Sequence, residues 1–302
     1  MKIIESIQAA KDYCQQLKRD GKTIASVDTD AELHDGHMAL VKIAKENSDV
    51  VVLNAGHSVD YKEKSDKEYK KGLLQYRQRP DGLSRDIELA KSNGVDVFFY
   101  PSMNQLYVDD LSLPIEMCEK TYDLIFKPEA IVTPPAPPTV VSSRNSTKVH
   151  ILSTFFPIFN IVTPDISVVG QKDVYQNFAL KSLIKQLRLP IKVVVCPTIR
   201  DSDGLAFSSR NRFLTKVQRE RASSVYKSLQ EVSRLTSYPS VKVLKRKIFN
   251  NIKNAHGSVF SIDIVCAETM GDLDIIDRPA VVFISATFGK VYLWDNILIS
   301  PK

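Results

Sequence analysis

His34-Asp35-Gly36-His37 is the stretch of this chain whose residue types and spacing most clearly suit chemistry. Two imidazoles three apart share one face of a helix. The glycine between them lets a phosphate approach the backbone closely. Two further groupings suit the same kind of ligand. In Gly170-Gln171-Lys172-Asp173, a lysine can reach phosphates as a point charge, and an aspartate can cap a helix or accept from ribose hydroxyls; Gln176 follows on the same helix face. Phe207-Ser208-Ser209-Arg210-Asn211 offers two hydroxyls, backbone amides and one guanidinium, a set suited to a triphosphate. A zinc reading of the histidines lacks a third ligand, because His57, His150 and His256 are scattered.

These groups need a scaffold that brings phosphates to backbone amides. Strand-like and helix-like segments alternate along the first two thirds of the chain. Strands are expected at 23–27, 49–53, 95–99, 166–169 and 191–195, and helices at 36–47, 84–91, 152–162 and 173–187. Strands rich in Val and Ile in βαβα order predict an α/β fold, a Rossmann-like doubly wound parallel sheet. Ligands of such sheets bind beyond the carboxyl ends of the strands, where His34, Asn54, Ser102 and Gly170 fall. A strand entering at 23–27 and a helix starting near Asp35 would set the histidine pair against helix amides that favour an anion. After Pro197 the composition becomes more basic. Helices at 215–235 and 239–254 and strands at 259–265, 280–286 and 290–294 predict a smaller C-terminal α+β domain, which divides the chain into 1–198 and 199–302. The polar segment 60–79 reads as a loop or short surface helices, and the proline-rich 133–138 as an extended connection.

Composition narrows the function classes. Of 302 residues, 43% are apolar and 25% charged, the balance of a soluble globular protein. A net charge of +6 suits a polyanionic ligand. No basic run is interleaved with aromatics, so Arg219, Arg221, Lys227, Lys242, Lys245, Arg246 and Lys247 read as a solvated helix face rather than a nucleic-acid surface. Cys14, Cys118, Cys196 and Cys266 are far apart and read as buried thiols. No run of about 18 apolar residues occurs, so neither a membrane span nor a leader is expected, and the expected location is cytoplasmic.

The order of these motifs resembles the pantothenate synthetase (pantoate–β-alanine ligase) family of the H-x-G-H nucleotidyltransferase superfamily, over nearly the whole chain. Leu33-His34-Asp35-Gly36-His37 matches L-H-x-G-H. Residues 94–102 resemble G-V-D-x-V-F-x-P-S, with Leu106-Tyr107 for the following M-Y. Residues 159–165 resemble F-N-I-V-x-P-D, 170–173 G-E-K-D, and 204–211 G-L-A-M-S-S-R-N. Leu293-Trp294-Asp295-Asn296 resembles L-I-D-N. The resemblance implies a two-step ligation. A carboxylate attacks the α-phosphate of ATP, pyrophosphate leaves, and an amine displaces AMP from the acyl adenylate. It implies His34, His37, Lys172 and Arg210 as catalytic groups and Gly36, Gly170, Asp173, Ser208, Ser209 and Arg210 as the ATP site. It further implies Asp86 as the residue associated with Mg²⁺, and a homodimer formed through the N-terminal domain.

The acid half departs from the pattern. The family's P-T-M-G-A-L-H is Asp28-Thr29-Asp30-Ala31-Glu32-Leu33-His34 here, and an extended run would put residues 28, 30 and 32 on one side. One like-charge pair at about 4 Å costs roughly 4 kcal/mol at an effective dielectric of ~20. The asparagine and glutamine of F-V-N-P-x-Q-F become His57 and Asp60. Of R-P-G-H-F, Arg144 remains and the histidine does not; Gln176 matches the second pantoate-binding glutamine. The expected acid site is therefore Gln176, Arg144, Asp60, His57, Asp28 and Asp30. Three readings stay open: a divergent pantothenate synthetase, a ligase or adenylyltransferase for another acid, amino-bearing acids included, and a non-catalytic nucleotide-binding paralogue.

Overall fold

A computed structural model describes residues 1–29, 32–55, 80–101, 103–106 and 155–301. His57, Asp60, Asp30, Arg144 and Cys118, and the segments 60–79 and 133–138, lie outside the described residues. The chain divides into two units. Their described parts are 1–29, 32–55, 80–101, 103–106, 155–170 and 179–197 in the first, and 171–178 and 198–301 in the second. The short segment 171–178 thus groups with the C-terminal residues, which the sequence did not signal.

Up to residue 197 the order is β1 (Lys2–Ile4), α1 (Ile7–Arg19), β2 (Ile24–Asp28), α2 (Asp35–Asn47), β3 (Val50–Asn54), α3 (Pro80–Ser92), β4 (Val97–Phe99), α4 (Met103–Leu106), α5 (Phe156–Val162), β5 (Ile166–Gly170), α6 (Val174–Gln186), whose first turn groups with the second unit, and β6 (Lys192–Cys196). The six strands are parallel in the order β1-β4-β3-β2-β5-β6. Both faces are covered, so strands such as Val50–Asn54 carry consecutive apolar residues, here at 50–53, instead of alternating. On one face Val27, Val51, Leu53 and Phe98 pack with Val41, Ala44 and Ala90; on the other Val52, Val97 and Phe99 pack with Cys14, Ile158 and Val162. Burying each such large side chain stabilises by roughly 1.5–3 kcal/mol. The chain reverses its direction across the sheet between β2 and β5, and α2 begins beyond the carboxyl end of β2. That is the ligand position of a doubly wound sheet. Strand β1 was not expected. Three residues carry no readable alternation, and the strand exists through pairing with β4, about ninety residues away.

The second unit follows with a 3₁₀ turn (Ser209–Phe213), α7 (Lys216–Ala222), α8 (Ser224–Ser233), α9 (Val241–Asn254) and an antiparallel sheet β7 (Ser258–Cys266), β8 (Ala280–Phe288), β9 (Val291–Ile299). Helix α9 buries Val241, Leu244, Ile248 and Ile252, a helical stripe, against Ile264, Ile284 and Phe288. The single helix expected at 215–235 is two. Ser223 between them turns its hydroxyl onto the Glu220 carbonyl at 2.8 Å, competing with the helical ladder. Strand β9 extends to Ile299, past the expected 290–294. The polar pair Asp295-Asn296 breaks the apolar pattern, yet both residues are buried and bonded. The fold class is as the sequence predicts: a Rossmann-like α/β sheet and a small C-terminal α+β unit. No helix among the described residues is long and apolar enough to cross a membrane. Cys14, Cys196 and Cys266 are free and buried.

Candidate active site

The histidine pair is built by a helix start. His34 is not helical; at φ −146° and ψ 174° it is the N-cap of α2, and its Nδ1 accepts from the Gly36 amide at 3.1 Å. His37 lies in the first turn, and the two rings stack with centroids 3.9 Å apart and planes 20° from parallel. The rings therefore meet, but through a cap and not through a shared helical face. An Nδ1 that accepts carries no proton, which puts the ring proton on Nε2. The helix dipole adds partial positive charge at the same place.

The loop before His34 is tied down at both ends. The Thr29 amide and hydroxyl both donate to the Asn54 carbonyl, at 2.9 and 3.0 Å. The Leu33 amide donates to Asp86 Oδ1 at 2.9 Å. Asp86 is only 1% exposed. Glu32 has φ +53°, so it departs from the extended backbone expected of this stretch, whose residues 30 and 31 lie outside the described residues. Asp28 closes β2. It is half-buried, and accepts from Asn54 Nδ2 at 2.8 Å and from Ser26 Oγ at 3.1 Å. Burial pushes its carboxyl up to about 6 against those two bonds.

In the second unit one face of β9 organises the remaining groups. Tyr292, Trp294 and Asn296 alternate onto it. Asn296 Nδ2 donates to the carbonyls of Gln171 and Lys172, at 3.0 and 2.8 Å. Trp294 Nε1 donates to Asp173 Oδ1 at 3.0 Å. The Arg210 guanidinium lies 4.3 Å from the Trp294 ring centroid and Lys172 Nζ 5.4 Å from it. Lys172 also donates to the Phe207 carbonyl at 3.1 Å. Neither cation forms an ion pair among the described residues. Burial holds the Lys172 ammonium below the usual lysine range, and Asp173 and Asp295 only partly offset it. Two cations without carboxylate partners among the described residues, one of them desolvated, have the chemistry to receive an anion.

The loop carrying Ser208, Ser209 and Arg210 is rigid for identifiable reasons. Arg200 pairs with Asp295 at 2.5 and 3.0 Å, donates to the Gly204 carbonyl at 3.1 Å and stacks 3.8 Å from Tyr226. Gly204 has φ +92°, and a Cβ there would come within 2.1 Å of the Tyr226 ring. Arg219 clamps Asp201 and Asp203 at 2.5–3.0 Å. That corrects the reading of Arg219 as part of a solvated basic face. Ser208 then caps the 3₁₀ turn by accepting from the Arg210 amide at 3.3 Å.

The sequence-derived residues thus fall into two described groups. The first unit holds Asp28, His34, Gly36, His37 and Asp86, with Gly170 ending β5. The second holds Lys172, Asp173, Ser208, Ser209 and Arg210, with half-buried Gln176 on α6. Sequence reasoning left out Trp294 and Asn296 as site residues. The one available signal was an aromatic residue standing where the L-I-D-N pattern has an aliphatic one.

The family model for pantoate–β-alanine ligase matches residues 2–298. The chain belongs to the pantoate–β-alanine ligase family. As a member it is an ATP-dependent, amide-forming ligase. The pantothenate synthetase of Caldicellulosiruptor bescii is 28% identical over 306 residues, covering 100% of both chains. Pantothenate synthetase from Thermus thermophilus shares the fold, with a TM-score of 0.81 at 24% identity over 100% of each chain. The pantoate–β-alanine ligase of Francisella tularensis, solved in complex with β,γ ATP and β-alanine, superposes with a TM-score of 0.72 at 26% identity, over 99% of this chain and 97% of that one.

Proposed function

We propose that this ligase condenses pantoate with β-alanine, converting ATP to AMP and pyrophosphate through an acyl adenylate. In the first step a pantoate carboxylate oxygen bonds to the α-phosphorus, and the bond to the bridging oxygen of pyrophosphate breaks. In the second the β-alanine nitrogen bonds to the acyl carbon, AMP leaves with the bonding pair, and a proton is lost from nitrogen. The observation that carries this reading is the pair Lys172 and Arg210. They are two cations without ion partners among the described residues, beside a carboxylate that can accept from ribose. Charge gathers on the α-phosphate oxygens in the transition state, so fixed donors there lower the barrier. We assign His34, His37, Lys172 and Arg210 to those oxygens, Gly36, Ser208 and Ser209 to the phosphates, and Gly170 and Asp173 to the ribose.

Mg²⁺ belongs to this reading as an ion carried by the phosphates, where it neutralises the leaving pyrophosphate. Such ions use one or two carboxylates plus phosphate oxygens. Asp86 meets that in number, but it is buried with Oδ1 on the Leu33 amide. Among the described residues no cluster of three metal-binding groups occurs, so no step is routed through a protein-held ion. A cytoplasmic homodimer completes the reading; light scattering tests the dimer.

A second reading, an acid other than pantoate, is favoured by Asp28, a carboxylate at the end of β2 where the family pattern has proline. With it we group Asp30, His57, Asp60, Arg144 and Gln176 as the altered acid site; an ammonium-bearing acid would neutralise the carboxylates. Pyrophosphate release measured with pantoate, with and without β-alanine, decides between the two. Turnover with both supports pantoate ligation. Release only with amino-bearing acids supports the second reading. No release with any acid, and no thermal shift with ATP, sinks both.

A further inference from the structure

Trp294 is the sole tryptophan of the chain. It replaces the aliphatic residue of L-I-D-N, so what it does cannot be a property of that pattern. Its indole makes contacts that an isoleucine has no atoms to make. The N–H holds Asp173 Oδ1 at 3.0 Å. The π-face lies 4.3 Å from the Arg210 guanidinium and 5.4 Å from Lys172 Nζ. The ring is itself held, tilted against Tyr292 at 5.6 Å, and it packs on the cluster of Val265, Met270, Val281 and Phe283. A guanidinium stacked on a ring keeps its planar fork of N–H donors free at the ring's edge, pre-organised for a phosphate. Asp173 keeps its second carboxylate oxygen for a ligand hydroxyl. One side chain thus orders three groups whose own chains are long or locally unconstrained.

We propose that Trp294 is a positioning residue for the nucleotide, pre-arranging Arg210, Lys172 and Asp173 through its ring and its N–H. The inference rests on the ATP-ligase reading above. It also makes the single indole a direct reporter of ATP arriving on its neighbours.

The test uses the full chain and ATP with Mg²⁺. Calorimetry gives Kd, steady-state pyrophosphate release gives kcat and KM, and tryptophan emission is followed in the unsubstituted protein. Trp294→Ile loses ring and N–H, and is expected to weaken ATP binding about tenfold, in KM more than in kcat. Trp294→Phe keeps a ring and is expected to recover most of this, leaving a deficit of about threefold. Emission is expected to change saturably, with a midpoint matching the calorimetric Kd. If Trp294→Ile does not fold, as judged by its thermal melt, Trp294→Phe and the emission titration carry the test alone. ATP affinity untouched in both variants, or emission indifferent to saturating ATP, overturns the proposal. A protein that binds no ATP by calorimetry overturns the nucleotide reading itself, and this inference with it.

Discussion

The two groups of candidate site residues, one in each unit, are assembled by different means. In the first unit, backbone geometry next to the functional residues does most of the placing: His34 caps α2 and His37 occupies its first turn, with one distant contact, Asp86 on the Leu33 amide, holding the residue before them. In the second unit, side chains distant in sequence do it: Trp294 reaches Asp173 across 121 residues and Asn296 reaches Lys172 across 124. A locally built site survives as long as its helix starts in place. A networked site depends on each member of the network, and it leaves Lys172 and Arg210 without ion partners among the described residues.

The largest contrast is expected between the two kinds of group assigned to the phosphate. His37→Ala removes one donor from the developing phosphate charge and should lower pyrophosphate release by a factor on the order of 10² or more, with little change in melting temperature. Lys172→Met should cost activity on the same scale while raising stability by about 1 kcal/mol, because a desolvated ammonium disappears. If Lys172→Met instead destabilises the fold, the ammonium is structural and the contrast fails.

Asp86→Ala should reduce stability by about 1–3 kcal/mol, the cost of a buried Leu33 amide left without its acceptor, and activity should fall with it. Asp86→Asn keeps an acceptor and should restore most of the stability. Equal melts for the two variants would remove the Leu33 amide as the reason for burying this carboxylate. Asn296→Ala takes the donor from two carbonyls and should cost about 1–2 kcal/mol, with a loosened Gly170–Asp173 turn seen as a raised KM for ATP.

The smallest effect concerns pH. The Asp28 carboxyl sits at about 6 in the folded protein, against 3.8 for the free group. Between those values the native state binds the proton more tightly than the unfolded chain, so this contribution to stability is lost as pH rises through that window. Asp28→Asn should match the unsubstituted protein near pH ~4 and exceed it by about 1–2 kcal/mol above about pH 7, allowing for partial exposure. Parallel stability–pH curves for the two proteins would show that Asp28 titrates normally.

Much of the fold and half of the site could be read from the amino acids, and the division has a physical origin. Apolar runs such as Val50–Asn54, the helical stripe of α9, and the L-H-x-G-H and S-S-R-N segments act over a few residues, where spacing and local backbone preference decide the outcome. Strand β1, the full length of β9 and the left-handed turn at Glu32 were not legible, because each depends on partners or constraints outside its own segment. The same holds for Asp86 and Trp294. Nothing in a run of letters says that one carboxylate will be buried under an amide 53 residues away, or that an indole will lie beneath a guanidinium. Short-range periodicity encodes elements; desolvation and side-chain pairing, which act only once the chain has folded, choose the partners.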